Sequence, residues 1–449
     1  MRRKITKRLE QWASAPKKKP LAVFGARQVG KSTSIMEFGG QHYDDVVEIN
    51  FYEHAYLKQA FSSSLRPHNI VRALEALLDR DIIPGKTLLF FDEIQACDEA
   101  LTSLKFFCID APEYDVIAAG SLLGVHVAGN GSFPVGYIDM VEMHPMDFEE
   151  FCWACGKERA FDFVRDCFQS FSECPIHESM LEMYHDYLLV GGMPEAVLAH
   201  ASEERLPSVR TIQQRILDGY AVDIVKYASA TDSAKILAAW ESMPAQLAKE
   251  SGSTKFTWRT IENRANAEKY GSALDWLTAA GLVSKCVQVS EGVAPLASFA
   301  VPESFKVYVG DTGLLSCKYG ALKADFTQDD RRSARFRGGM AENYVMQQLV
   351  AAAFRPYYWG KQSTYEVEFV LRLEEGVVPI EVKSGRRIKS TSAKRFAEKY
   401  NCPYIIHVSQ KNFGLTESVR SIPLYAVGLL PNPSPVNTLS SFPLSSWGF

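Results

Sequence analysis

The chain contains one motif that restricts the fold around it, the phosphate-binding loop G-x-x-x-x-G-K-[ST], which residues 25–33 satisfy as GARQVGKST. The apolar run LAVF at 21–24 comes directly before the loop, and a helical pattern begins at Lys31. A loop of this kind between a strand and a helix holds the phosphates of a nucleoside triphosphate. A glycine-rich turn that only caps a helix is the alternative for the motif taken alone.

A second apolar run, LLFF at 88–91, ends in two carboxylates, Asp92 and Glu93. In a nucleoside triphosphatase, one such carboxylate holds Mg²⁺ and the other directs the attacking water. The order of strand, loop, helix and acidic strand end therefore predicts an ATP site with Mg²⁺ as its metal cofactor.

We predict that the nucleotide contacts the whole loop, which consists of Gly25, Ala26, Arg27, Gln28, Val29, Gly30, Lys31, Ser32 and Thr33. The glycines allow backbone N–H groups to face phosphate oxygens, and Lys31 brings a positive charge to the β- and γ-phosphates. The predicted ligands of Mg²⁺ are the Ser32 hydroxyl and Asp92, the latter directly or through water.

Three residues are predicted to be catalytic. Lys31 is one, and Glu93 is the residue that orients or deprotonates the attacking water. Ser121 follows the next predicted strand, where it either contacts the γ-phosphate or the water, or is an ordinary polar residue at a strand end.

Strands and helices alternate along the first third of the chain. The predicted strands are 21–24, 46–51, 87–91, 115–119 and 138–143, and the predicted helices are 31–38, 69–80 and 99–109. This alternation predicts an α/β fold with a parallel sheet covered by helices. The loop at 25–33 and the carboxylates at 92–93 both follow strands, so they fall at the carboxyl edge of the sheet, where ligands bind.

The rest of the chain changes character twice. Residues 145–228 have helical patterns, and 232–288 resemble a small helix-turn-helix with a wing, which either contacts DNA or serves only as a packing unit. A linker is predicted at 290–304. We therefore predict a nucleotide-binding domain with a helical extension at 1–200, a helical winged-helix domain at 201–290, an α/β domain at 305–430 and an irregular tail at 431–449.

Composition excludes several classes of protein. The chain has 449 residues, a formal net charge of −4 and 47% hydrophobic residues, which is typical of a folded protein with several cores. No membrane-spanning run and no secretory signal are found, so we expect a cytoplasmic protein with no membrane partner. The nine scattered cysteines predict reduced thiols, and a zinc site at Cys152 and Cys155 is the alternative.

Acidic residues recur in the last predicted domain. Glu381 and Lys383 share one face of a predicted strand, because side chains alternate along a strand. With Glu368 on the preceding strand and Glu342 on a helix, three carboxylates could collect a divalent metal beside Lys383. Surface charges on an edge strand are the alternative.

The chain resembles a group of prokaryotic AAA-type ATPases in which the ATPase core is followed by a C-terminal domain of unknown function with restriction-endonuclease-like character. The resemblance rests on short stretches in the same order along nearly the whole chain: 25–33, 91–95, 119–124, 134–136, 144–151, 191–195, 308–315, 339–345, 366–369 and 379–385.

This resemblance implies an AAA-type ATPase module, a winged-helix connector and a nuclease-like PD-(D/E)xK fold. It assigns Lys31, Ser32, Asp92 and Glu93 to the ATP site, and the second metal site to Glu342, Glu368 and Glu381 with Lys383. Two positions depart from the family pattern. Glu368 stands where the family usually has Asp, which weakens the implied metal geometry. Tyr137 stands where it usually has an Arg finger that reaches a neighbouring subunit.

The leading functional hypothesis is an ATP-hydrolysing, Mg²⁺-requiring switch or motor, with nucleic acid as the favoured partner and a homo-oligomer as its expected assembly. One alternative is an ATP-controlled, metal-dependent DNase. The other is a nucleotide-dependent platform that binds DNA or a protein client through an inactive nuclease fold.

Overall fold

The computed structural model describes residues 1–121, 134, 136–202, 207–248, 254–327, 334–361, 365–386 and 391–433. Parts of three sequence predictions lie outside the described residues: positions 122–124 and 135 of two family stretches, and the tail from 434 onward. Contacts divide the chain into two compact units, one containing Met1–His144 and the other containing Pro145–Thr278 and Leu282–Val436. The domain boundaries drawn from the sequence stay predictions.

The first unit has the predicted alternation of strands and helices. Its helices are α1 (Ile5–Ala13), α2 (Lys31–His42), α3 (Gln59–Ser62), α4 (Pro67–Leu78) and α5 (Asp98–Asp110), and its strands are β1 (Leu21–Phe24), β2 (Asp45–Asn50), β3 (Thr87–Asp92), β4 (Asp115–Gly120) and β5 (Asp139–Glu142). Helix α1 buries Ile5, Leu9 and Trp12, whose spacing places them on one face of the helix.

The five strands form one parallel sheet in the order β2-β3-β4-β1-β5. Strand β4 lies between β3 and β1, so the acidic end of β3 and the loop after β1 are separated by one strand at the same edge. The predicted parallel α/β fold is confirmed for this unit.

Aromatic rings fill the core directly below the end of β3. Phe91 packs edge-to-face against Phe51, Phe61 and Phe107, with ring centroids 5.4–6.1 Å apart. All four side chains are at most 1% exposed. Edge-to-face pairs add about 0.5–1.5 kcal/mol each beyond the burial of apolar area. The residue before Asp92 is therefore held in a rigid environment.

The second unit contains the remaining elements. Its helices are α6 (Phe148–Ala154), α7 (Glu158–Ser170), α8 (His177–Val190), α9 (Pro194–Ala201), α10 (Val209–Tyr227), α11 (Ala230–Glu241), α12 (Met243–Leu247), α13 (Ala267–Ala279), α14 (Thr312–Tyr319), α15 (Lys323–Thr327), α16 (Ala334–Ala351) and α17 (Thr391–Tyr400). Its strands are β6 (Val283–Val289), β7 (Ala300–Val309), β8 (Tyr357–Lys361), β9 (Tyr365–Arg372), β10 (Val377–Val382), β11 (Ile405–Ser409), β12 (Gly414–Leu415) and β13 (Val419–Pro423).

These eight strands form one mixed sheet in the order β12-β13-β11-β10-β9-β8-β6-β7. Strand β6, at the end of the segment predicted as a helix-turn-helix with a wing, pairs with β7 and β8. The linker prediction at 290–304 is wrong from Ala300 onward, because β7 begins there. Pro302 concealed the strand, but β7 lies at the sheet edge and its pairing is shifted near this residue, two circumstances in which a strand tolerates proline.

No helix in the described part of the chain combines the length and apolarity needed to cross a membrane. All nine cysteines are free. Among the described residues, no group of three or more His, Cys, Asp or Glu side chains is arranged to hold a metal ion. The zinc alternative for Cys152 and Cys155 therefore has no support in this part of the chain.

A buried polar network holds the turn between α8 and α9. The backbone N–H of Gly192 donates to Asp311 Oδ2 at 2.6 Å, and Met146 N–H donates to the Gly192 carbonyl at 2.7 Å. Gln347 Nε2 also donates to Asp311 Oδ2, at 3.3 Å. Asp311 is 2% exposed, and burial raises its pKa. Satisfied networks of this kind fix one packing arrangement.

We expect Gly192→Ala to destabilise the second unit, because the new Cβ would lie 2.0 Å from the backbone oxygen of Met146. Overpacking of this kind costs about 1–3 kcal/mol. The matched control is Gly271→Ala within α13, where a Cβ would meet nothing within 4 Å and alanine gains about 0.5–1 kcal/mol in a helix. Thermal unfolding of both variants measures the difference, and equal midpoints would contradict the role given to Gly192.

Candidate functional site

The phosphate loop runs between β1 and α2 with a backbone that requires glycine at two positions. Gly25 has φ +155° and Gly30 has φ +92°. A Cβ on Gly25 would lie 2.1 Å from the backbone oxygen of Met143. The loop therefore lies against the residue that follows β5, and α2 begins directly after Gly30. A helix N-terminus preceded by such a loop favours phosphate groups.

Arg3 stabilises the loop through hydrogen bonds to backbone carbonyls. Its guanidinium donates to the Val29 carbonyl at 2.7 Å and to the His144 carbonyl at 2.8 Å, and the residue is 7% exposed. A solvated face is the ordinary expectation for a run of basic residues, and Arg3 departs from it. No local pattern distinguishes Arg3 from its basic neighbours, since its partners are distant backbone atoms.

The side chain of Lys31 folds back onto the loop. Its Nζ donates to the carbonyls of Ala26 at 2.8 Å and Gly25 at 3.1 Å. Burial lowers the pKa of Lys31 to about 8, although Glu93 and Asp92 act in the opposite direction. Carbonyls are weak partners for an ammonium compared with phosphate oxygens. The phosphate oxygens of a nucleotide would therefore be stronger partners for this ammonium than the two carbonyls.

Asp92 and Ser32 meet at the edge of the sheet. Ser32 Oγ donates to Asp92 Oδ2 at 2.9 Å, and the backbone N–H of Glu93 donates to Asp92 Oδ1 at 3.0 Å. Asn50, at the end of β2, makes a longer contact of 3.4 Å to Asp92 Oδ2. Asp92 is 7% exposed, and burial raises its pKa while the Ser32 hydrogen bond opposes this. The sequence analysis missed Asn50.

Glu93 has a strained backbone. Its φ of +50° and ψ of +45° are left-handed, a conformation that costs a non-glycine residue about 1–3 kcal/mol. Its carboxylate accepts a hydrogen bond from Gln95 Nε2. Such strain persists where the surroundings impose it, often at functional sites.

Two further predicted residues lie in the first unit. Ser121 directly follows β4, the strand between β3 and β1. Tyr137 is 37% exposed and lies under the Lys105 ammonium, 5.0 Å from the ring centroid. The roles of Ser121 and of the loop residues in binding nucleotide stay predictions.

The second unit contains a group of acidic and basic side chains that we name the carboxylate cluster; it consists of Glu342, Glu366, Glu368, Glu381, Lys306 and Lys383. Lys383 Nζ lies 2.7 Å from an oxygen of Glu368 and 2.7 Å from an oxygen of Glu381. The structure therefore brings together these three predicted residues. Their second carboxylate oxygens are buried and lack hydrogen-bond partners among the described residues.

Glu342 is occupied by different partners. Its Oε2 accepts hydrogen bonds from Thr254 and Tyr308 at 2.8 and 2.9 Å. Lys306 Nζ, on a side chain with no exposed surface, lies 3.4 Å from this oxygen and 2.6 Å from Glu366 Oε1. Sequence analysis missed Lys306, because a lysine in an edge strand is normally exposed.

Charge pairing dominates the electrostatics of the cluster. Burial raises the pKa of Glu368 to about 7 against the attraction of Lys383. Although burial favours the neutral amine of Lys306, Glu342 and Glu366 raise its pKa above the ordinary value. Buried charges persist only when they are paired in this way.

The two candidate metal sites differ in fit. At the first, Ser32 and Asp92 place a hydroxyl and a carboxylate side by side, and Mg²⁺ prefers such oxygen ligands completed by phosphates and water. At the second, lysine ammonium groups lie among the carboxylates, and no described group of three carboxylates is arranged to hold a metal. The predicted ligand set Glu342, Glu368 and Glu381 is therefore not assembled in this arrangement.

Three family models match separate parts of the chain. Residues 17–152 match an AAA domain family (AAA_14), residues 181–325 match a domain of unknown function (DUF8612), and residues 337–427 match another domain of unknown function (DUF4143). No curated protein matches the chain. The first match and the phosphate loop support an AAA-type ATPase, whereas the other two describe no activity.

Several solved ATPase structures resemble the chain at low similarity. The Walker-type ATPase PABY2304 of Pyrococcus abyssi is 14% identical, with 71% of this chain and 95% of that chain covered and a TM-score of 0.44. The Aeropyrum pernix ORC1 protein in complex with DNA is 11% identical, covering 70% and 91%, with a TM-score of 0.29. AMPPCP-bound DnaA from Aquifex aeolicus is 15% identical, covering 61% and 86%, with a TM-score of 0.28.

We expect Lys31→Met to stabilise the nucleotide-free protein at about pH 7 by about 1–3 kcal/mol, because it removes a buried charge. The folded pKa of about 8 lies below the ordinary value, so the unfolded parent binds more protons above pH 8 and the parent gains stability as pH rises. The difference between the two proteins should therefore shrink toward about pH 10. Chemical denaturation at several pH values measures it.

The matched control is Lys86→Met, which changes a lysine whose side chain is 62% exposed. This change removes a surface ammonium and leaves the phosphate loop intact. A Lys31→Met variant that is less stable than the parent at neutral pH would contradict the electrostatic description of the loop.

Proposed function

We propose that the chain binds ATP with Mg²⁺ at the phosphate loop and hydrolyses it. The observation that carries this proposal is the hydrogen bond between Ser32 and Asp92, which joins the first turn of α2 to the end of β3 beside Lys31. The AAA domain match over the same residues supports it. A loop that only capped a helix would not require a buried carboxylate at the end of a different strand.

The loop residues divide the binding work. Backbone N–H groups of residues 25–33 face the phosphates, and Lys31 exchanges its carbonyl partners for phosphate oxygens. Ser32 and Asp92 would hold Mg²⁺, which supplies positive charge to the phosphates when bound. Arg3 keeps the loop in place through Val29 while Lys31 changes partners.

Glu93 carries the proton chemistry. A water attacks the terminal phosphorus, the bond to the ADP oxygen breaks, and a proton of the water passes to the Glu93 carboxylate. Strand β3 ends at Asp92, and the backbone of Glu93 directly after it is left-handed. Ser121, at the end of the adjacent strand, is the proposed contact to the γ-phosphate or the water.

The nucleotide cycle is proposed to act as a switch whose partner is nucleic acid. Residues 386–395 contain five lysines and arginines and no acidic residue, which favours a polyanionic partner for the second unit. A homo-oligomer is the proposed assembly. No arginine finger is assigned, because Tyr137 stands where the family usually has that arginine.

We expect Glu93→Gln to bind ATP as tightly as the parent and to hydrolyse it about 10²–10⁴-fold more slowly, because the amide cannot accept the proton. Lys31→Ala should lose ATP binding. Calorimetry with a non-hydrolysable analogue and steady-state phosphate release measure the two effects. Glu113→Gln, at an exposed glutamate before β4, is the control. An unchanged turnover rate in Glu93→Gln would remove Glu93 from the mechanism.

A second function is proposed for the C-terminal half, that of a binding platform built on a nuclease-like fold without nuclease activity. Lys306 favours it, because this fully buried ammonium pairs with Glu342 and Glu366 while Lys383 pairs with Glu368 and Glu381. All four carboxylates are thereby engaged with cations. The alternative of an ATP-controlled DNase requires at least three of them to turn toward a metal.

The platform predicts no cleavage of supercoiled plasmid with Mg²⁺ or Mn²⁺ and a DNA mobility shift that changes with a non-hydrolysable ATP analogue. Double-stranded DNA should also change the affinity for the ATP analogue by the same factor by which the analogue changes the affinity for DNA, because coupling is reciprocal in binding free energy. Metal-dependent nicking that is lost in Lys383→Ala would establish the DNase instead. An ATPase rate indifferent to single- and double-stranded DNA, with no shift, would favour a protein client.

A further inference from the structure

Gln95 occupies a position next to Glu93 that the ATPase chemistry described so far does not use. It lies in the short 3₁₀ helix Ile94–Ala96, and its Nε2 donates a hydrogen bond to Glu93 Oε2. The left-handed backbone at Glu93 is what brings these two side chains together across so short a separation in the chain.

The carboxamide oxygen of Gln95 is buried beside the end of β4. Oε1 is buried and has no hydrogen-bond partner among the residues that the structure describes. A Cβ placed on Gly120, the last residue of β4, would lie 2.6 Å from this oxygen and 3.3 Å from Ile94 Cγ2. The carboxamide is therefore confined between Glu93 and the end of the strand that separates β3 from β1.

This arrangement is not one that stability alone would favour. A buried carbonyl oxygen without a donor costs free energy, and an apolar side chain of the same length would avoid that cost. The amide cannot relieve it by turning over, because Oε1 would then face the Glu93 carboxylate as a second acceptor. The orientation of the amide is thus set by Glu93.

We propose that Gln95 is a positioning residue for Glu93, which fixes one carboxylate oxygen so that the other faces the attacking water. This inference rests on the proposed ATPase function. As the water oxygen bonds to the terminal phosphorus and the bond to ADP breaks, the water proton passes to the free oxygen of Glu93. Gly120 is part of the same device, because only glycine leaves space for the amide at the end of β4.

Gln95→Met tests the proposal, because methionine keeps the length and removes the hydrogen bond. We expect kcat to fall about tenfold while the dissociation constant for ATP stays unchanged. The thermal midpoint should stay equal or rise, since the unpaired oxygen is removed. A lower midpoint with unchanged kcat would show a structural role only and would overturn the proposal.

Gly120→Ala gives an independent test that leaves Gln95 in place. The new Cβ would meet the far end of a flexible side chain, so the strand can keep its backbone while the carboxamide is displaced. The same loss in kcat is expected. Gly40→Ala, in α2, where a Cβ would meet nothing within 4 Å, is the matched control and should retain the parent rate. A Gly120→Ala protein with the parent rate would contradict the proposal.

A double-mutant comparison separates action through Glu93 from general damage. In a Glu93→Gln background, adding Gln95→Met should change the single-turnover rate less than about twofold, because the residue it positions is already disabled. Multiplying losses would overturn the inference. Parent protein without ATP turnover would remove the proposed function and this inference together, whereas parent turnover with an unaltered Gln95→Met rate would remove only the inference.

Discussion

The 2.9 Å hydrogen bond between Ser32 and Asp92 joins the first turn of α2, the helix after β1, to the end of β3, and these two strands are not neighbours in the sheet. It forms only if β1, β4 and β3 run parallel with aligned ends, if Gly25 packs against Met143, and if the aromatic core holds Phe91 below the edge. Each condition depends on a different part of the first unit. The site is therefore a product of the whole sheet, and a slip in any one strand would separate its two halves.

Much of the first unit could be predicted from the sequence because its signals are local. The phosphate loop, the acidic end of β3 and the apolar face of α1 each occupy a few consecutive residues or one helical period. Arg3, Asn50 and Gln95 were missed for a shared reason. Each acts through a partner fixed by tertiary structure, such as the Val29 carbonyl for Arg3, and a polar residue at such a position has the same local signature as a surface residue.

In the second unit the local signals were weaker. The strands that carry Glu368 and Glu381 were predicted, and the structure joins both residues to Lys383. The start of β7 was hidden by proline, and with it the position of Lys306. The spacing of the carboxylates in the sequence predicts ligands for a metal, because it takes no account of distant cations. The structure adds a buried cation to the count, and the charge balance then favours ion pairs.

The first unit concentrates its unfavourable features at one edge of the sheet. Lys31 is half-buried with carbonyl partners, Asp92 is buried with a raised pKa, and Glu93 has a left-handed backbone. Within the same strands, away from this edge, the side chains are apolar and almost fully buried, as Ala22, Leu89 and Val116 show. Backbone strain and buried charge persist where a well-packed core imposes them. A ligand with several negative oxygens would give the Lys31 ammonium stronger partners than the loop carbonyls in one binding event. A folding requirement alone gives no reason for these features to coincide at one edge of the sheet.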